Sequence, residues 1–336
     1  MKISPQHLST FDQQLLASAA LTDLSEARVQ WFLQQREAKR GVRMPALNFP
    51  EVLATLGAAR EHEGQLLPTC GGMLFFGRDP QAWLPHSQIR VARFQGTTTT
   101  HFVDRADLNG TLPEMIEAAE QFVRRNTRTA AKVVGFRRRE VAEYPFEAIR
   151  EAICNAVCHR DYQLAGAEIR IMIFSDRLEI NSPGGLPLGV NLANLARTHV
   201  LRNPVLANFL YASFYIEKWG TGIARMKSLM SEHGLAEPKF EDLGDFFAVT
   251  FYGPGDRILE LVPEAGVTDL QAMGLNERQA AALSKMINHG EAFTNMSYRE
   301  LFHVSKNTAT RDLQALLATD WVKTTGVGKG TSYGAK

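Results

Sequence analysis

Three polar side chains fall on one face of a single predicted helix. Glu151, Asn155 and His159 stand four residues apart within residues 151–162, and helix residues with this spacing are neighbours on one face. A carboxylate can act as a general base, and an amide oxygen can bind Mg²⁺. The apolar residues of the region fall on another face and can pack on a sheet: Ile149, Ile153 and Val157. The pattern predicts a polar ridge held over a cavity.

Two segments contain glycines that let backbone amides approach a phosphate. Asn181-Ser182-Pro183-Gly184-Gly185 follows a predicted strand, and Gly220-Thr221-Gly222 precedes a helix predicted over 223–230. Glycine lets backbone amides come close to a ligand, and the positive end of a helix favours an anion. The two segments therefore predict a phosphate-binding site.

Four other interpretations compete with this one: a solvated helix face, a zinc site, a kinase catalytic loop and a P-loop. A Glu and an Asn four residues apart are commonly part of a solvated helix face. Cys154, Cys158 and His159 lack a fourth partner for a zinc site, which disfavours zinc. The kinase-like His159-Arg160-Asp161 lacks the catalytic-loop Asn, and residues 326–331 lack the first glycine and the following helix of a P-loop. Kinase and P-loop chemistry are therefore rejected.

The composition is that of an ordinary soluble protein. The 336 residues include 37 basic and 36 acidic side chains, with a net charge of +1, which argues against a chain that coats nucleic acid or membrane surfaces. Three cysteines are too few for a disulfide framework, so we expect a cytoplasmic protein. No apolar run reaches the length of about 18 residues that a membrane helix needs.

The pattern of apolar residues and turns divides the chain into four parts. We expect an α+β lead-in segment at 1–108, an α/β unit at 109–254, a linker at 255–274 and a C-terminal unit at 275–336. In the lead-in, the pattern predicts helices over 25–36 and 49–60 and buried strands over 71–77 and 88–94. In the second part, it predicts helices over 112–125 and 145–162, and strands over 131–136, 167–181 (two strands) and 246–252.

The C-terminal unit has the outline of a winged helix-turn-helix. Three short helices are predicted over 276–287, 297–304 and 306–318, followed by two strands around a glycine-rich turn. Residues 275–336 hold eight Lys/Arg against five Asp/Glu. The side chains expected to contact double-stranded DNA lie at the start of the third helix and on the wing: Ser305, Lys306, Asn307, Thr308, Thr310, Arg311, Lys323 and Lys329. A winged helix that docks on protein has the same outline and is the alternative.

The chain resembles the GHKL (Bergerat-fold) ATP-binding superfamily. More closely, it looks like predicted transcriptional regulators that join a Schlafen-type AlbA-like domain, a GHKL module and a helix-turn-helix. The resemblance covers about residues 65–254. It is carried by the 151–162 helix and by six short motifs: Pro68-Thr69, Leu74-Phe75-Phe76-Gly77, Tyr144-Pro145, Asn181 to Leu186, Arg202-Asn203-Pro204 and Gly220-Thr221-Gly222. It implies a GHKL-like α/β sandwich within an α+β chain.

The resemblance also implies roles for individual residues. Glu151 would be the water-activating base, and Asn155 would bind magnesium together with ATP. Asn181 stands where the superfamily has the adenine-binding Asp, and its amide oxygen can still accept from adenine, without a charge-assisted bond. The remaining residues expected at the ATP site are His159, Gly184, Gly185, Gly220, Thr221 and Gly222. The Schlafen-type domain that precedes the GHKL module in these regulators is not in the chain, so we expect no Schlafen-type nuclease or RNA-processing function.

Taken together, the sequence predicts an ATP-binding, DNA-binding transcriptional regulator. Nucleotide would order a lid over 186–219 and so change how the winged helix is presented, and a homodimer would offer two half-site contacts. One alternative is a slow magnesium-dependent ATPase with Glu151 as base. Another is a nucleotide-free scaffold that uses the winged helix for protein contacts.

Overall fold

A computed structural model describes residues 9–41, 43–134, 137–198, 200–217, 220–262, 270–271 and 274–336. The chain forms two compact units. The first comprises the residues up to 128 together with 142–255, and the second comprises 129–141 together with 256–336. In the described part of the chain, every helix is too short or too polar to cross a bilayer.

The helices of the first unit begin and end at residues that favour helix termini. Ser25 accepts from the N–H of Arg28 at the start of the first helix, and Gly41 ends that helix with φ +68°. The helices are α1 (Glu26–Arg40), α2 (Phe49–Leu56), α3 (Cys70–Phe76), α4 (Pro80–Trp83), α5 (Leu112–Asn126), α6 (Phe146–His159), α7 (Pro204–Ala212) and α8 (Gly222–Glu232).

A six-stranded mixed sheet forms the centre of the first unit. Its strand order is β4-β3-β7-β8-β10-β9, and β3 and β7 are the parallel pair among antiparallel neighbours. The strands of the unit are β1 (Ala59–His62), β2 (Gln65–Pro68), β3 (Ile89–Phe94), β4 (Phe102–Leu108), β7 (Ile169–Ile173), β8 (Arg177–Pro183), β9 (Lys239–Asp242) and β10 (Phe246–Tyr252). The short strands β1 and β2 form a separate hairpin. The predicted α+β class is confirmed.

Helices α5 and α6 bury their apolar faces in the core that this sheet shares. Met115, Phe122, Ile149 and Ile153 are all buried in that core. Both helices follow the predicted 3.6-residue period, which is why the sequence located them to within a few residues.

Two predictions in the lead-in segment are wrong. Residues 71–77 were expected to be a strand, but Thr69 caps a helix there by accepting from the N–H of Gly72 at 3.0 Å. The run is buried on all sides, and an apolar run of this length has no periodicity that separates strand from helix. The helix predicted over 49–60 ends at Leu56, because Gly57 has φ +75° and strand β1 follows.

The units also differ from the four parts expected from the sequence. Strands β3 and β4 of the lead-in segment join the same sheet as β7 and β8, so residue 108 is not the border of a compact unit. Residues 129–141 belong to the second unit, although they lie within the part expected at 109–254. Contacts between distant parts of the chain decide both the border at residue 108 and the unit to which residues 129–141 belong. Such contacts cannot be inferred from the local sequence pattern.

The described residues of the second unit include three α-helices of eight or more residues and two small sheets. Its elements are β5 (Thr129–Val134), β6 (Arg137–Ala142), α9 (Glu277–His289), β11 (Phe293–Thr294), α10 (Asn295–Phe302), α11 (Lys306–Ala318), β12 (Val322–Thr325) and β13 (Ser332–Ala335). Strands β5 and β6 pair with each other, and the other sheet has the order β11-β13-β12. The winged helix-turn-helix class of this unit stays a prediction.

A buried carboxylate joins the three helices of the second unit. Asp312 on α11 is almost fully buried and accepts from Arg278 Nε at 3.0 Å and Asn276 Nδ2 at 3.3 Å, both near the start of α9. It also accepts from the hydroxyl of Tyr298 on α10 at 3.4 Å. Because an unpaired buried charge is costly, these bonds fix how α9, α10 and α11 pack together.

Candidate functional site

A cavity of about 340 Å³ lies in the first unit, between α6, the sheet, α8 and the segment that follows β8. Its walls are mainly apolar, with side chains such as Ile180, Met226, Phe247 and Val249. The polar ridge of α6 forms one wall with Glu151, Asn155 and His159. A mostly apolar cavity with a few convergent polar groups is typical of small-molecule sites.

The predicted ridge is therefore brought to one cavity, as its helical spacing requires. The rise of about 1.5 Å per residue separates Glu151 from His159 by roughly 12 Å along the helix. This length gives the cavity two ends. The Glu151 end lies near Gly222, and the His159 end lies near Gly184 and Gly185.

The carboxylate of Glu151 is desolvated at its end of the cavity. Burial raises the pKa of this carboxyl above its ordinary value, and the negative charge of Glu217 adds to that effect. Asn155 Nδ2 donates to Glu151 Oε1 at 3.2 Å, and this bond and the positive charge of Arg225 act in the opposite direction on the pKa. The bond leaves Asn155 Oδ1, which is an acceptor, available for a ligand.

The first residue of α8 must be glycine for Glu151 to keep this position. A methyl group on Gly222 would overlap Glu151 Oε1 and would lie 3.3 Å from Asn155 Nδ2. The N-terminus of α8 therefore approaches the ridge more closely than any residue with a side chain would allow. Gly220, with φ +65°, makes the turn into this approach.

At the His159 end of the cavity, Gly184 and Gly185 begin the segment that follows β8. Gly184 has φ +101°, and a methyl group there would overlap the guanidinium of Arg202. Arg202 donates to the carbonyl of His159 at 2.8 Å and to the carbonyl of Gly185 at 2.7 Å. This one side chain therefore connects both ends of the 186–201 segment to the end of α6.

The structure places Asn181, the predicted adenine contact, on the face of β8 that points away from the cavity. In β8, Ile180 and Ser182 line the cavity, and alternate residues of a strand point to opposite faces. Asn181 pairs with Arg170 and Ala248 in the neighbouring strands and faces the other side of the sheet. Ser182 is the polar residue of β8 at the cavity, and its hydroxyl donates to the carbonyl of Ala156 at 3.0 Å. In the sequence, Leu178, Ile180 and Ser182 alternate along β8, and this alternation could have identified Ser182 as the residue on the cavity side.

The other predicted ATP-site residues are placed as follows. Gly184, Gly185, Gly220 and Gly222 line the cavity, whereas Thr221 is exposed and is not among the lining residues. Arg202 and Glu217 also line it and were not predicted to be site residues. Arg202 belongs to the Arg202-Asn203-Pro204 motif, to which the sequence assigns no role. Glu217 stands in no motif that would mark it as a site residue.

The cysteines beside the ridge are buried, and Cys158 is also among the residues that line the cavity. Burial raises the pKa of the Cys158 thiol to about 12, and burial likewise raises the pKa of Cys154. Within the described part of the chain, no three His, Cys, Asp or Glu side chains lie close enough together to hold a metal ion. The cysteines therefore contribute to packing in this structure.

The expected DNA-contacting residues lie in the second unit. Ser305 caps α11 by accepting from the N–H of Thr308 at 3.2 Å, and Lys306, Asn307, Arg311 and Lys323 are exposed. Thr310 is half-buried and accepts from Asn295 Nδ2 on α10 at 2.9 Å, which gives it a structural contact. The side chain of Lys329 lies outside the described residues.

Comparison with known proteins supports an ATPase-like domain in the first unit. Residues 166–251 match a family described as "Putative ATP-dependent DNA helicase recG C-terminal". This match supports a GHKL-like ATPase fold for residues 166–251. Helix α6 precedes the matched residues, so its place at the site rests on the geometry given above. Residues 2–90 match a second family, described as a domain of unknown function (DUF8451).

Solved structures extend the comparison to the whole chain. The DIP2311 protein from Corynebacterium diphtheriae has 22% identity and a TM-score of 0.59 over 97% of this chain, which spans 64% of that protein's length. This match shows a similar fold. A histidine kinase domain from Erythrobacter litoralis EL346 has 12% identity and a TM-score of 0.23, over 70% of this chain and 82% of that domain. No curated protein matches the chain.

We predict that Gly222→Ala moves the Glu151 carboxylate without unfolding the protein, because the overlap falls on the movable end of a long side chain. Displacement towards solvent removes part of the desolvation, so the pKa of Glu151 should fall towards its ordinary value. A carbon-13 NMR titration of labelled glutamates, with Glu151 assigned from Glu151→Gln, measures this. Thr221→Ala, at the exposed neighbouring position, should leave the pKa unchanged. An unaltered pKa in Gly222→Ala would contradict the proposed contact.

Proposed function

We propose that this chain is an ATP-binding, DNA-binding transcriptional regulator whose nucleotide site is the cavity beside α6. The observation that carries the proposal is the approach of the glycine-bounded start of α8 to Glu151 and Asn155, within a unit that contains a GHKL-like ATPase fold. Predicted regulators of the Schlafen-associated family, which the sequence resembles, combine such a module with a helix-turn-helix.

The residues present fit a magnesium nucleotide. Asn155 Oδ1 is a hard oxygen ligand of the kind that Mg²⁺ accepts, and the N-terminus of α8 offers backbone amides to phosphates. The apolar walls around Ile180 and Val249 fit a planar base. When bound, Mg²⁺ would neutralise phosphate charge and orient the phosphate chain.

Ser182 takes the base-contacting role in this proposal. Its proton is used in the bond to the Ala156 carbonyl, so the oxygen presents lone pairs to the cavity. A hydroxyl oxygen can accept from an exocyclic amine such as that of adenine. Because it is uncharged, we expect it to contribute less binding energy than a carboxylate would.

We predict that the whole chain binds Mg-ATP and that Asn155→Ala weakens this binding by about tenfold or more, since a ligand to the ion is lost. Isothermal titration calorimetry with and without Mg²⁺ measures both. Asn181→Ala is the matched control, because it removes the same amide from the opposite face of β8. The nucleotide site is wrong if the wild-type chain shows no Mg²⁺-dependent binding at millimolar ATP, or if the two Asn variants behave alike.

A slow magnesium-dependent ATPase is the second candidate, favoured by the buried position of Glu151. A carboxyl whose pKa is raised is a stronger base once ionised. Below the raised pKa it is protonated and cannot accept a proton, so turnover should increase as the pH rises through that value.

For this candidate we predict slow phosphate release that Glu151→Gln abolishes while ATP binding is retained. The substitution keeps the size of the side chain and removes the base. Glu147→Gln, one turn earlier on α6 and solvent-exposed, is the control and should retain turnover. Phosphate release that persists in Glu151→Gln would exclude Glu151 as the base.

The second unit supports the DNA-binding part of the proposal. The exposed Lys306, Asn307 and Arg311 occupy the first turns of α11, next to α10. In helix-turn-helix proteins the start of the second helix of the motif enters the major groove. Nucleotide would act on DNA binding by ordering the segment after Gly185, and a homodimer would present two copies of α11 to two half-sites.

We predict that Lys306→Ala reduces the magnitude of the salt slope of duplex binding by about one unit, because one phosphate contact is lost. The double variant Lys306→Ala with Arg311→Ala should lose most of the affinity. Fluorescence anisotropy of a labelled duplex at several salt concentrations measures both. Lys285→Ala, on α9 and paired with Glu291, is the control for net charge. Unchanged duplex binding by the double variant would instead favour the protein-docking alternative.

A further inference from the structure

Two carboxylates line the phosphate-facing end of the proposed site. Glu151 and Glu217 both line the cavity there, beside Gly220 and Gly222. Among the described lining residues, Arg202 alone has a positively charged side chain, and it bonds to carbonyl groups at the opposite, His159 end. A polyphosphate that enters the Glu151 end therefore meets carboxylates first, which opposes binding unless their charge is balanced.

A lysine from the N-terminal segment supplies such a balancing charge. Lys39 Nζ, near the end of α1, lies 2.8 Å from Glu217 Oε1. Its ammonium lies 5.0 Å from the ring centre of Tyr211 and 4.7 Å from that of Phe214. The Lys39 side chain is only 13% exposed, whereas that of Glu217 is 53% exposed. The lysine is therefore held in place by packing and by cation–π contacts, and the more exposed partner is the glutamate.

The position of Lys39 follows from how α1 packs. Phe32 of α1 packs edge-on against Phe209 of α7, with ring centres 5.4 Å apart. The turn after α7 then brings Phe214 beneath Lys39, and Phe214 has φ +66°, which is costly for a residue with a large side chain. A turn held in this conformation indicates that the surrounding contacts determine it.

Resting on the proposed function, we infer that Lys39 is a charge-balancing residue of the nucleotide site, which the N-terminal segment supplies to the ATPase-like domain. In the structure its ammonium neutralises Glu217. With a polyphosphate at the Glu151 end, the same ammonium offsets the negative charge of Glu217 and phosphate together. The segment at residues 2–90, which matches a domain of unknown function, thereby acquires a part in nucleotide affinity.

An ordinary surface ion pair would not have these properties. Such pairs contribute about 0–1 kcal/mol to stability and have two solvated partners. Here one partner is largely buried between two rings and the other lines the cavity. Loss of the Lys39 charge is therefore expected to weaken the binding of ATP but to have little effect on the binding of adenosine, which has no phosphate.

The test is calorimetry of Mg-ATP and of adenosine with four variants of the full chain. Lys39→Ala should weaken Mg-ATP binding by about tenfold, because one positive charge near the phosphates is lost, and should change adenosine binding less than about twofold. Lys39→Arg should restore ATP affinity. Glu217→Gln should bind ATP at least as tightly as wild type, and Lys39→Ala with Glu217→Gln should recover most of what Lys39→Ala loses.

Controls separate charge from folding. Lys227→Ala removes a lysine from another ion pair of the same unit, with Glu237, and should leave both affinities unchanged. Thermal unfolding by circular dichroism establishes that each variant is folded. Unchanged ATP affinity in Lys39→Ala, equal loss of ATP and adenosine affinity, or a double variant no better than Lys39→Ala would each overturn the role of Lys39. With ATP bound by wild type, these outcomes leave the proposed function standing, whereas wild type that binds no ATP overturns both.

Discussion

Packing of α6 in the core of the first unit is the constraint on which the candidate site depends. Ile149, Ile153 and Val157 are buried on one face of the helix, so the 3.6-residue period turns the ridge of Glu151 and Asn155 to the cavity. The hydroxyl of Ser182 connects β8 to the last turn of α6 through the Ala156 carbonyl. Because protein interiors are closely packed, α6 cannot rotate to another orientation without opening voids in the core.

The N-terminal segment is part of the same constraint. Asp12 is fully buried and accepts from the N–H groups of Val205 at 2.6 Å and Leu206 at 3.1 Å, at the start of α7. Burial raises the pKa of this carboxyl, and the bonds from backbone amides oppose that effect. Just before α7, Asn203 Nδ2 donates to the carbonyls of Cys158 and Arg160 at the end of α6. The start of α7 therefore joins the N-terminal segment to the helix that forms the site.

Local pattern predicted the helices that carry the site but not every group that faces it. The ridge of α6 and the glycines before α8 could be located from the sequence because helical spacing and backbone freedom are local properties. Asn181 was misplaced because a motif was aligned by residue type, although a shift of one residue in a strand reverses the face. Residues 71–77 could not be assigned because a uniformly apolar run has no period.

The remaining omissions have a different cause. Glu217 and Lys39 are 178 residues apart in the chain and meet because α1 packs on α7. Neither residue stands in a motif, and each alone resembles an ordinary surface charge. Only the folded chain brings Lys39 to Glu217 at the cavity wall. For the same reason the six-stranded sheet, which combines strands from the lead-in with those of the ATPase-like domain, did not follow from segment boundaries.

The two ends of the cavity are built on different physical principles. At the His159 end, Arg202 is satisfied by the carbonyls of His159 and Gly185, which are neutral and fixed by the backbone. In the proposed site, selection at this end would depend on shape and on the hydroxyl of Ser182. At the Glu151 end, carboxylates and the Lys39 ammonium are close enough for small changes in charge to alter affinity. In the proposed site the base end therefore determines which ring is accepted, and the charged end determines how strongly the phosphates contribute to binding.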